Sequence, residues 1–111
     1  MIRNDFIMRL IELLGVFLAR VFQKIEKGDW DGAAEDIDKT SKESLGIPIT
    51  IVESNQAENL IALFTSPSGP DYSRILAAAV LLDARGEVVA GAGNEVSGVI
   101  LWTKAATLYR F

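Results

Sequence analysis

An all-helical single domain is the fold class this sequence predicts, and three observations predict it. Residues 5–27, DFIMRLIELLGVFLARVFQKIEK, place their apolar side chains in one continuous arc of a helical wheel. A second helical pattern follows after only Gly28–Asp29, which makes the two helices antiparallel neighbours. A third, from Glu95 to about Tyr109, sets Val99, Trp102, Ala106 and Tyr109 at helical spacing behind the capping residue Asn94. Between Asp71 and Gly93 the residues alone leave an alternative open, an α/β fold with a hairpin at 80–90.

Composition limits the chemistry. The 111 residues have room for one core, and with half of them apolar the chain is globular. It contains neither cysteine nor histidine. Disulfides, thiol catalysis and zinc–thiolate sites are thereby excluded, and the commonest general acid/base and metal ligand is missing. No catalytic residue, cofactor or metal site is expected. Net charge is −4 and the eleven basic residues are scattered singly, which disfavours nucleic acid. The longest uncharged run of the first segment, Leu13 to Ala19, falls short of the roughly 18 residues a membrane span needs. A cytoplasmic protein without membrane contact is expected.

In the first helix, Phe6, Ile7, Leu10, Ile11, Leu14, Phe17, Leu18, Val21, Phe22 and Ile25 fill the apolar arc. Asp5, Arg9, Glu12, Arg20, Gln23 and Lys27 oppose it, with Val16 stranded among them and Leu13 at the margin. An arc this wide exceeds the stripe of about 100° that an ordinary surface helix needs. The first helix is therefore expected to be the element the rest packs around, with Phe22 in the core. Asn4 reads as its N-cap, Asp5/Arg9 and Arg9/Glu12 as surface pairs, and Gly28 as its left-handed C-terminal residue.

Asp29 caps the second helix, Trp30 to Ser44, whose buried stripe is Trp30, Ala33, Ala34 and Ile37, weakly continued by Thr40 and Ser41 and closed by Leu45. Gly46, Ile47 and Pro48 end it. Its five acids, Asp29, Asp31, Glu35, Asp36 and Asp38, lack the glycine and bidentate glutamate of a calcium loop and read as a solvated face favoured by the helix dipole. These two helices form a hairpin over 5–44. Residues 47–54 read as an extended or one-turn connector, with Thr50 and Glu53 at capping-box spacing. Asn55 or Ser54 then caps a short third helix carrying Ala57, Leu60, Ile61 and Phe64, giving a connector and helix over 47–65. Pro67, Gly69 and Pro70 make a loop over 66–71. Beyond it, Asp83-Ala84-Arg85-Gly86 suits a hairpin turn, whereas Ile75, Ala79, Leu82, Gly86 and Val89 suit one face of a helix from Tyr72 to Ala92.

A resemblance favours the helix. Leu82, Gly86, Val89, Gly93, Gly98, Trp102 and Ala105 fall at the spacing of the tetratricopeptide repeat, and Gly28, Trp30 and Ala33 repeat its second half. Gly28 and Gly93 lie close to twice the period of about 34 residues apart. Val21 departs from the pattern, standing where a small residue is usual. The opening MIRNDFIMRLIE also resembles an uncharacterised bacterial family of small helical proteins. Together these resemblances imply five helices in antiparallel hairpins, the last over 72–110, and no assigned activity. On that reading Gly86→Ala is expected to be near neutral.

Tetratricopeptide-like proteins bind partners along a groove lined by their first helices. The resemblance places Val80, Asp83, Glu87 and Ala90 on such a groove in the last unit and Leu18, Phe22 and Ile25 in the first. It implies no clamp for a C-terminal carboxylate. The third helix is expected to fill the groove of the first. The function expected is a non-catalytic interaction or scaffolding module with an unidentified protein partner, and a homodimer through Leu13 and Val16. The rival is a small enzyme or ligand-binding domain using Asp83 and Glu87 with Tyr72 or Lys104.

Overall fold

Among the described residues six helices follow one another: α1 (Asn4–Glu26), α2 (Trp30–Leu45), α3 (Ile49–Ser54), α4 (Ala57–Leu63), α5 (Tyr72–Gly91) and α6 (Glu95–Arg110). The computed structural model describes residues 4–111, with side chains from Met8 onward. The Asn4 cap, the Asp5/Arg9 pair, Phe6 and Ile7 lie outside the described side chains. The fold is all-α. Its described strands are β1 (Thr65–Ser66) and β2 (Gly69–Pro70), an antiparallel ribbon within the Pro/Gly stretch. Residues 80–90 lie inside α5, so the α/β alternative is overturned.

The helix ends follow local chemistry. Gly28 adopts φ 73°, and the Asp29 amide reaches back to the Lys24 carbonyl at 2.8 Å, closing α1 in a Schellman turn. Asp29 Oδ1 accepts from the Gly32 amide at 2.9 Å and so begins α2. Gly46, also left-handed, ends α2. Asp71 and Asn94 cap α5 and α6 through the Arg74 and Ser97 amides.

The middle of the chain differs from expectation. Residues 49–54 form a helix, and its first amide is capped from a distance: Ile49 N donates to Asp38 Oδ1 of α2 at 2.9 Å. Pro48 occupies the N-cap position, and Glu53 is held by Arg85 rather than closing a capping box. Ser54 and Asn55 do not cap α4; their side chains turn back to the Ile51 carbonyl, and Gln56 precedes α4. The described residues therefore form six helices rather than five. Ser41, fully buried, donates to the Ile47 carbonyl at 2.7 Å and pins the α2–α3 connection.

The central element is α5, not α1. Helices α1, α2, α3 and α6 all pack on α5. It buries Ile75, the alanines 77–79, Leu81, Leu82, Ala84 and Val88, so it is apolar nearly all round, as a core helix should be. Two glycines set the approach of its neighbours. A Cβ on Gly91 would fall 2.5 Å from the Trp30 ring of α2. A Cβ on Gly86 would fall 2.6 Å from Trp102 Nε1 of α6, and one on Gly98 would meet Ala90 at 2.7 Å. The α5–α6 crossing is thus closed from both sides, and the expectation that Gly86→Ala is near neutral does not survive this geometry.

Candidate interaction surface

Helix α1 buries only part of its apolar arc. Leu14, Phe17 and Val21 enter the core, and Leu10, Leu18 and Ile25 pack against it half-buried. Its main partners are α2 and α5, while α4, the helix expected to fill the groove, packs chiefly on α6. Phe22 is consequently 44% exposed rather than a core residue. Met8 and Ile11, three to four turns away on the same face, are about half exposed. Leu13 and Val16 are exposed as well, at 50% and 62%, but on other sides of the helix. Leu13 joins Leu10, Ser44, Ser73, Arg74 and Ala77 around a cleft of about 330 Å³.

The residues placed on α5 by register have separate surroundings. Val80 is buried, and Glu87 is exposed. Asp83 faces α6: its carbonyl accepts the Trp102 indole N–H at 3.2 Å, and its carboxylate lies 3.4 Å from the Tyr109 hydroxyl. Burial, and then the neighbouring Asp83 charge, push the Tyr109 phenol up to about 12. Tyr72 is exposed with its ring centroid 5.8 Å from that of Phe111.

Lys104 belongs to another cluster, which sequence reasoning missed. Its ammonium donates to the Glu53 carbonyl, and the Glu53 carboxylate pairs with Arg85 Nε at 3.2 Å, joining α3, α5 and α6. Burial holds the Lys104 ammonium below its ordinary value, partly opposed by Glu53. Lys104 also borders a cleft of about 290 Å³ between α4 and α6, with Gln56, Glu58, Val99, Ile100 and Thr103. Val96, Val99 and Ile100 leave a second exposed apolar strip along α6. The α3 link was invisible because Glu53, Arg85 and Lys104 are far apart in sequence and only meet through the helix the sequence did not declare.

Besides the capping Asp29, two more of the five acids have structural partners. Asp36 lies 2.7 Å from Lys24 Nζ and 3.7 Å from Arg20 Nε of α1. Asp38 caps α3 and pairs with Lys42 at 3.1 Å; the Ile49 amide first, then Lys42, hold its carboxyl below the ordinary value. Among the described residues no three acids gather into a set that could hold a metal ion, and no helix is long and apolar enough to cross a membrane. Comparison of the chain with protein-family models, with curated proteins and with solved structures finds no match in any of the three.

Proposed function

We propose that this chain is a non-catalytic helical interaction module of the cytoplasm, built from tetratricopeptide-like hairpins and acting by apolar contact with a protein partner. The observation that carries the reading is the face of α1 bearing Met8, Ile11 and Phe22, each of which stays about half exposed among the described residues. Contiguous exposed apolar area on a folded surface marks interaction sites more often than it is left bare. The tight α5–α6 hairpin, with Trp102 laid over Gly86 and a turn at Gly93 of φ 110°, supports the likeness to tetratricopeptide units. The net charge of −4 and the scattered basic residues support a protein partner over a nucleic acid. The absence of cysteine supports a reducing compartment.

The test uses the purified wild type and Phe22→Glu as baits in cytoplasmic extract of the native cell. Proteins held by the wild type and lost with Phe22→Glu, both baits having the same helical far-UV spectrum, are the expected outcome. Identical retention by the two baits would remove the α1 face from the reading.

A further inference from the structure

Both sides of α1 keep steps of three and four: Leu10, Leu14, Phe17 and Val21 do so toward the core, and a second stripe, half-buried at Leu18 and Ile25, does so beside them. Met8, Ile11, Gly15, Leu18, Phe22 and Ile25 succeed one another at alternating steps of three and four, as the a and d positions of a heptad do. The core-facing Leu14, Phe17 and Val21 lie beside this seam, not on it. A helix built only to pack on a globular core needs no second stripe at that period.

We propose that the seam pairs with the same seam of a second copy of this chain, as an antiparallel two-helix coil about a two-fold axis passing between Gly15 and Leu18. The proposal rests on reading this face as the interaction surface, and names its occupant. Aligned so that Gly15 of one copy faces Leu18 of the other, Ile11 faces Phe22 and Met8 faces Ile25. The two-fold axis repeats every pair, so the stripe is complementary to itself. Gly15 supplies the space for Leu18: it is exposed, and nothing lies within 4 Å of where its Cβ would be. A parallel alignment would set Gly15 against Gly15 and leave a gap in the middle of the seam.

The area available suits such a pair. The 23 residues of α1 make a helix about 34 Å long. The seam itself, Met8 to Ile25, is about 27 Å long, and a contact strip one helix wide along it buries roughly 400 Å² per copy and about 800 Å² in total, the size of a weak, transient contact. The pairing is therefore reversible rather than obligate. A lipid surface fits less well. An interfacial helix carries a broad apolar face with basic flanks, whereas Glu12, Ala19 and Glu26 border this seam and the chain carries a net charge of −4.

Sedimentation velocity on the full chain at about 10 and about 100 µM tests the pairing in the range where an interface of this size associates. The wild type is expected to shift from monomer toward dimer with concentration. Ile11→Glu and Phe22→Glu, both at exposed positions and so expected to keep the helical spectrum, should associate at least about tenfold more weakly. Val16→Glu, off the seam, should behave as wild type. Because the chain has no cysteine, introduced ones report the register: Ile11→Cys should cross-link with Phe22→Cys in a mixture and not with itself. A wild type monomeric at both concentrations, a dimer that survives both glutamate variants, or preferential self-linking of Ile11→Cys would each overturn the proposal. A monomer whose extract partners still require Phe22 leaves the interaction face standing and removes the second copy as its occupant. Sedimentation of the monomer with phosphatidylserine vesicles, abolished by Phe22→Glu, would assign the face to lipid instead and overturn the pairing.

Discussion

At Gly86 a single missing methyl decides how closely α5 and α6 can lie. The Trp102 ring is held over the glycine by its hydrogen bond to the Asp83 carbonyl, so it has little freedom to retreat. A helix-interior Gly→Ala change ordinarily gains up to about 1 kcal/mol from propensity. Here the added Cβ meets Nε1 at 2.6 Å, and overpacking typically costs about 1–3 kcal/mol. Gly86→Ala is therefore expected to destabilise the protein by about 1–2 kcal/mol net, measured by urea unfolding. Gly91→Ala should cost less, because it meets the far end of the half-buried Trp30 ring, which can swing toward solvent. Equal stability of wild type and Gly86→Ala would mean that the crossing is looser than described. The need for a small residue at 86 was legible in the spacing of Leu82, Gly86 and Val89. That alanine is already too large was not, since it depends on where one indole ring comes to rest.

Among the elements, α3 shows where sequence reasoning stops. The termini that use their own neighbours were legible: Gly28, Asp29, Gly46 and Asn94 each act within a few residues of where they stand. Helix α3 has only six residues and no local side-chain cap, and isolated helices of that length do not persist. Its first amide is satisfied by Asp38, eleven residues earlier and on another helix. Ile47, Ile49 and Ile51 alternate like a strand for an equally non-local reason: Ile49 is buried, while Ile51 is exposed. Asp38 also gives this element a pH dependence. Its carboxyl titrates below the ordinary 3.8 in the folded state, so the ionised form favours folding. That contribution is fully present above the unfolded value and disappears as pH falls through the folded one. Asp38→Ala should thus lower the melting temperature at about pH 7, and the deficit should shrink as the pH falls below the ordinary carboxylate range. Asp38→Asn, which keeps an acceptor for Ile49 but loses the pairing with Lys42, should lie between. A deficit that stays constant with pH would show that the Asp38 charge has no part in holding α3.

Over the whole molecule, the division between centre and edge follows from how many sides of each helix are used. The wide arc of α1 suggests the centre only if width is equated with depth of burial, whereas the alanines of α5 disguise a helix buried on most of its sides. The arc of α1 is two adjoining faces, one in the core and one outside it. That difference predicts a gradient of local stability, since segments with few buried contacts open at lower free energy than those enclosed by the core. Amide hydrogen exchange should be slowest in α5, around Ala78 to Leu82, and clearly faster through the exposed half of α1 between Met8 and Val16. Uniform protection across both helices would contradict the assignment of α5 as the centre. The same measurement at higher protein concentration adds a second reading. If α1 pairs with a second copy, its amides should slow as the population of dimer grows, because only the paired form adds contacts there. The amides of α5 already reach their limit through global unfolding, and they should slow by no more than the dimer stabilises the whole fold. Selective slowing of α1 with concentration would locate the association on that helix without any substitution; slowing confined to α6, where Val96, Val99 and Ile100 are exposed, would move it to that helix.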